Sequence, residues 1–271
     1  MSGKIPSRNT WGSGGGGGGG SSDCPFDGIF NPPANGTHVT GTTCGDFKNL
    51  FFSSSPPSIS IAATPAFGLR EFGNDVVNPD IRGRGALGSN PSGSLTLLEL
   101  FRGTTGGTNL APNEVNPTPG TWYARTDTFT VSSNQTYTAR ISDDQGRNGT
   151  ASGNYRFTYP FYWGVVDEQA DIFDNITRAQ ILALAGMGVH VETVGTKAVT
   201  TSPTNERYCF MYPASYGALS SVIDNNGFET LPAYDTFTYN VIGLDGTSQS
   251  YRVYILNADT TAVGFTNTYH F

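Results

Sequence analysis

The 271-residue chain is poor in charge: Asp, Glu, Lys and Arg make up 14% of it, where about a quarter is usual. Its 15 basic residues are outnumbered by 22 acidic ones, for a net charge of -7. That balance excludes general binding to nucleic acid, which needs Lys/Arg clusters to displace counterions. It is also the wrong sign for an anionic membrane surface. No apolar run reaches the ~18 residues of a membrane helix, and the N-terminus lacks the hydrophobic core of a signal peptide. The expectation is a protein used in solution or carried inside an assembly.

Cysteine is scarce as well. Cys24, Cys44 and Cys209 are too few and too far apart for a zinc pattern or a disulfide framework. Cys209, between Tyr208 and Phe210, reads as a small buried hydrophobe; Cys24 and Cys44 could pair or stay free. The three histidines, His38, His190 and His270, sit in separate segments. His190-Val191-Glu192 matches His-x-Glu, but the Pro-Cys-x-x-Cys partner of a zinc deaminase is missing, so the pair reads as a solvated strand face. No serine stands in Gly-x-Ser-x-Gly. The glycine run lacks a Gly-Lys-Ser/Thr ending, which excludes a phosphate loop. These gaps point away from an enzyme and away from a cofactor.

What the chain has in quantity is glycine, 35 residues, together with Ser, Thr, Asn and 12% aromatics. Such a composition suits turn-dense β structure; α-helical enzymes carry more Glu, Lys and Ala. Residues 1–22 (MSGKIPSRNTWGSGGGGGGGSS) contain seven consecutive glycines, Gly14 to Gly20. They bring no side chains to bury, so a flexible arm is expected. Extended, it reaches at most roughly 70 Å, far enough to be held by a neighbour through Ile5, Pro6 and Trp11. Residues 23–55 read as a small docking segment, with turns at Asn31-Pro32-Pro33 and Asn35-Gly36 and a helical turn over Asp46 to Leu50.

Residues 56–153 alternate apolar and small polar positions in short runs: SISI, LTLLELF, TWYAR and QTYTARIS. Turn signals recur at roughly ten-residue spacing, as in a β-sandwich. Arg82-Gly83-Arg84-Gly85 is expected in a loop, solvated or between subunits. Asp143-Asp144-Gln145-Gly146 is expected as a turn; with Asn148 its carboxylates could hold a calcium ion.

Residues 154–271 read as a second, β-rich (α+β) domain. YRFTYPFYWGVV, Tyr155 to Val166, is expected as one strand. Tyr159 to Trp163 could be core on one face and interface, or a sugar platform, on the other. An acidic loop, Asp167 to Asp174, reads as solvated surface. Thr177 with Gln180 fits a capping box opening a helix of core residues Ile181, Leu182, Leu184 and Ala185. Val189 to Val194 alternates like a strand. The spine is RYCFMYPASYGALSSVIDNNG: a buried strand through Tyr208, Phe210 and Tyr212, ended by Pro213, then a short helix over Ala214 to Ile223 including Tyr216. Thr236 to Ile242 and Tyr251 to Leu256 form a hairpin about Leu244-Asp245-Gly246-Thr247. The fold class is thus mainly β, with one or two short helices.

These residues also carry a resemblance. FYWGV, a helix such as TRAQILALA, then R-x-x-F-x-YPASYG-x-L, a D-x-N-G-F turn and the TYNVIGLDGTSQSYRVYI hairpin resemble a module of virion structural proteins of tailed bacteriophages. YTARISDDQG looks like the late hairpin of an immunoglobulin-like module, though no Cys-Trp-Cys signature is present. GTHVTGTTCGDFKNLFF with PPSISI is similar to the lead-in of such a module. The resemblance covers roughly residues 35–271. It implies a non-enzymatic particle component, most often of tails, baseplates or fibre attachments. Its partners would be other virion proteins and copies of itself, with no nucleic acid and no membrane. A head-decorating cement protein and a host-glycan receptor protein share these features and stay open.

Fixing seven glycines costs on the order of 1–2 kcal/mol each, which only partner contacts could offset. Deleting residues 1–22 should therefore leave the thermal transition unchanged while abolishing incorporation into particles. Particle fractions blotted for the truncated chain check this, and normal incorporation would refute an anchoring arm.

Overall fold

Alternation of apolar and small polar residues dictates strands, and the computed structural model of the chain describes residues 26–29, 38–41, 55–88, 93–167 and 171–271. Ile5, Pro6, Trp11, Cys24, Cys44 and the expected helical turn at 46–50 lie outside the described residues. Contacts group the chain into Met1–Ser55 and Pro56–Phe271. In the first group β1 (Phe26–Ile29) and β2 (His38–Gly41) form an antiparallel pair.

The second group begins with β3 (Ser58–Thr64), β4 (Gly68–Glu71), β5 (Asp80–Ala86), β6 (Leu95–Arg102), β7 (Thr108–Asn109), β8 (Glu114–Val115), β9 (Tyr123–Thr126), β10 (Gln135–Asp143) and β11 (Asn148–Thr158). They make two sheets, β3-β5-β9 and β4-β11-β10-β6-β7, with β8 also on β6. The sheets share a core of Ile81, Leu98, Leu100, Tyr137, Ile141 and Tyr155, so this part is a β-sandwich. All these pairings are antiparallel except β4 on β11, which is parallel. Arg82 to Gly85 is strand rather than the expected loop. Arg82 and Arg84 point outward and the glycines face the core. A Cβ on Gly83 would lie 3.0 Å from Leu100 Cδ2, and one on Gly85 2.8 Å from Ile141 Cδ1. Glycine there lets the sheets approach closely.

The run from Tyr155 to Val166 is two strands, not one. β11 ends at Thr158, and its Tyr155 and Phe157 belong to the sandwich core. Pro160, which has no N–H for a ladder, separates it from β12 (Phe161–Val166) of a different sheet.

After β12 come β13 (Ile176–Thr177), α1 (Arg178–Ala183), β14 (Gly188–His190), β15 (Lys197–Thr201), β16 (Thr204–Pro213), β17 (Ser221–Asp224), β18 (Tyr234–Ile242), β19 (Ser248–Leu256), β20 (Thr260–Thr261) and β21 (Phe265–His270). The main sheet runs β13-β18-β19-β16-β12-β14, with β20 on β16, and a smaller sheet runs β15-β21-β17. The main sheet is buried on both faces. Cys209 and Met211 of β16 join Ile172, Ile176 and Ile181 of the α1 side. Tyr208, Phe210 and Tyr212 join Val199, Val222 and Tyr269 of the smaller sheet. Successive side chains of a strand point to opposite faces, so the continuous apolar run of β16 serves two cores.

The capping box of Thr177 and Gln180 is formed, and α1 is the one α-helix among the described residues. It stops at Leu184, which is extended, so Ala185 lies outside the helix and is exposed. The strand expected over Val189 to Val194 is confined to Gly188–His190. The helix expected over Ala214 to Ile223 is instead a single 3-10 turn, Ala214–Tyr216, followed by β17. Gly217 leaves the turn at φ +86°, and the Tyr212 hydroxyl donates to its carbonyl at 2.9 Å. Pairing with β21 then draws Val222 into the aromatic core.

Tyr212 is fully buried, parallel to Phe161 and Tyr254 and edge-on to Phe271 at 4.7 Å between ring centres. Tyr216 is only half-buried, stacked on Phe161. Tyr212→Ala should cost about 3–5 kcal/mol, and Tyr216→Ala about 1–2 kcal/mol. Urea denaturation of both variants checks the difference; equal losses would show that Tyr212 is not the deeper of the two.

Candidate functional site: the waist between sandwich and main sheet

Glu71 closes the edge strand β4 and is 3% exposed. An ionised carboxylate is stable at such depth only with a charge partner. The partner is Arg178, the first residue of α1, whose Nε lies 2.5 Å from Glu71 Oε1 across 107 residues of chain. The next residue, Phe72, donates its N–H to the Thr158 carbonyl at 3.1 Å. Its ring packs on Tyr159 at 4.8 Å and Phe157 at 5.9 Å. Gly73 follows at φ +87°, and a Cβ there would lie 2.4 Å from the backbone nitrogen of Asp245. Only glycine fits both the left-handed conformation and the close approach of the β18–β19 hairpin tip.

The crossing peptide, Tyr159-Pro160, is tied from the far side. Tyr159 donates its hydroxyl to Asp245 Oδ2 at 3.1 Å, and Tyr251 donates to the Pro160 carbonyl at 2.8 Å. The Tyr216 hydroxyl meets Thr158 Oγ1 at 3.1 Å. Burial first, and then the Glu71 charge, push the Tyr162 hydroxyl pKa up; burial and the neighbouring Tyr162 and Glu71 do the same to Tyr251. Both therefore stay neutral. The waist is a clamp of one ion pair, packed aromatic rings and neutral hydroxyls, and it fixes the sandwich to the main sheet.

Tyr208, Phe210, Tyr212 and Pro213 are buried in the main-sheet interior, and Tyr216 sits half-buried beside the waist. Phe161 and Tyr162 are fully buried on opposite faces of β12, so neither offers a ring face to a sugar. Asp143, Asp144 and Asn148 do not converge. Asp143 accepts from the backbone of Gln145 and Arg147 and pairs with the Arg147 guanidinium at 2.7 Å. Asp144 accepts from Ser94 N at 2.9 Å, and Asn148 faces Ser142. Burial opposes ionisation of Asp143, yet the Arg147 contacts and the turn N–H groups outweigh it and hold its pKa below the usual range.

The His190–Glu192 pair is not a shared solvated face. His190 is half-buried with its ring stacked on Trp163, and burial lowers its pKa. Glu192 pairs with Lys197. In the acidic loop, Asp174 accepts from Asn240 N at 2.7 Å and so serves as a loop tie. Among the described residues no group of three or more His, Cys, Asp or Glu is placed to hold a metal ion.

No protein-family model, no curated protein and no solved structure matches the chain.

The waist has no local sequence signature. The sole hint is a charged residue, Glu71, between Arg70 and Phe72 at the end of a short strand. Glu71→Ala would leave the Arg178 guanidinium largely buried and unpaired. It should destabilise the protein by about 3 kcal/mol. Because the two effects share one contact, the Glu71→Ala/Arg178→Ala double variant should lose less than the sum of the singles. Denaturant titration of the three variants checks this, and strict additivity would remove the pair from the clamp.

Proposed function

We propose that the chain is a non-enzymatic structural component of a tailed-phage virion, in the tail, baseplate or fibre-attachment region. It is held to neighbouring virion proteins by its N-terminal arm. The observation that carries this reading is the way the YPASYG block is used. Tyr212 fills the aromatic interior, its hydroxyl closes the turn on Gly217, and Tyr216 reaches Thr158 of the sandwich. The block on which the resemblance rests most heavily is thus a joint between two β modules. A joint tied by side-chain contacts suits a protein whose task is to hold position.

The sandwich supports the same reading. Its opening segment is divided between the sheets: β3 pairs with β5 in one, and β4 runs parallel to the last strand, β11, in the other. With β5 and β9 opposite β6, β10 and β11, the strand partition is similar to that of an immunoglobulin-like module, which supports the resemblance. Near the start of β10 the Tyr137 hydroxyl donates to Asp127 at 2.8 Å, tying that strand back to the segment after β9.

Mass spectrometry of separated heads and tails from purified particles tests the assignment. Recovery with tails is expected. Recovery with heads alone would replace it with a decorating role.

A further inference from the structure

The outer face of the β3-β5-β9 sheet is built differently from the rest of the surface. Register places Ala62, Arg82 and Ala124 side by side in one row, and Ser60 beside Arg84 in the next. Ser58 and Ala86 form a third. A fourth row holds Thr64, Asp80 and Thr126, so the long side chains of this face are the two arginines and Trp122, with Asp80 its one carboxylate. The Arg84 guanidinium stacks 4.8 Å from the Trp122 ring centre, and Trp122 is 41% exposed. Arg82 is paired with Asp80 at 2.7 Å. Arg84 has no carboxylate partner among the described residues. With Arg82 and Arg84 against Asp80 the face is faintly positive, and it carries an exposed tryptophan and arginine, the residue types that dominate binding energy at interfaces.

The rest of the chain is charged in the complementary sense. Residues 56–158 hold eight basic and eight acidic residues, whereas residues 159–271 hold four basic and eleven acidic. The whole net charge of -7 thus falls in the second half. Its cations are mostly spent: Arg178 on Glu71, Lys197 on Glu192 and Arg207 on Asp259. Asp224, Asp235 and Asp245 carry no ion pair among the described residues.

We propose that the Arg84–Trp122 face docks a second copy of this chain, through the acidic 159–271 half of that copy. The two surfaces differ, so the contact is head-to-tail and adds copies into a ring or an open helix rather than closing as a two-fold dimer. This rests on reading the chain as an assembly component, and it names one partner: itself. Opposed surface charge steers and orients such a contact and is screened by salt.

Sedimentation velocity of the full chain over a concentration series, at low and high ionic strength, tests the proposal. Self-association that weakens with added salt is expected. Arg84→Glu and Trp122→Ala should each weaken it at least about tenfold with unchanged circular dichroism and melting temperature. Arg82→Glu should weaken it less, because Asp80 already neutralises that guanidinium. A chain that stays monomeric throughout, or association that Arg84→Glu leaves unmoved, would overturn the proposal. Either result would leave the head-or-tail assignment standing, since particle fractions decide that separately.

Discussion

The arrangement depends on a buried carboxylate that cannot be left alone. Glu71 lies at the end of an edge strand, in a place where water cannot solvate it, and Arg178 answers it from the helix that opens above the main sheet. Such a pair contributes little net stability compared with apolar packing, because both charges pay desolvation. What it fixes is geometry. The sandwich can be turned against the main sheet only by separating the two charges, so one orientation is singled out. Gly73 then allows the β18–β19 hairpin tip to close on the backbone, and Phe72 and Tyr159 fill the remaining gap.

On the far side of the waist, order comes from burial on both faces of one sheet. β12, β16 and β19 place alternate residues in two cores, and the aromatic one is dense. Phe210 stacks on Tyr269 at 4.0 Å, and Phe161, Tyr212, Tyr254 and Phe271 interlock around it. Aromatic rings bury large area in defined relative orientations, and their hydroxyls are used as well: Tyr212 donates to the Gly217 carbonyl, and the Tyr254 hydroxyl lies 3.4 Å from that of Tyr212 and accepts from the Leu219 backbone. The density of this core is why the YPASYG segment turns once and returns as a strand instead of continuing as a helix.

Much of this was legible in the sequence. The strands at Ser58, Leu95, Gln135, Thr204 and Ser248, the Thr177–Gln180 cap and the turns at Gly146 and Gly246 all follow from local periodicity and turn chemistry. Three misreadings share one cause. Arg82 to Gly85 looked like a loop because glycine is a poor strand former; the benefit, two sheets meeting closely over Leu100 and Ile141, is tertiary. Ala214 to Ile223 looked helical because its residues permit a helix, while the β21 edge that captures Val222 lies far along the chain. Glu71 and Arg178 were missed for the same reason: 107 residues separate them, and neither has a local motif to announce it. Long-range partners decide in each case where local preference is weak.

Residues 56–271, two β modules with separate cores, behave as one body because the waist is clamped. A clamped pair melts together, since losing either module exposes the Glu71–Arg178 pair and the Phe72–Tyr159 contact in the other. Differential scanning calorimetry of the full chain tests this most directly. A single transition is expected for these residues, with calorimetric and van't Hoff enthalpies in agreement. Two resolved transitions, one for each module, would contradict it.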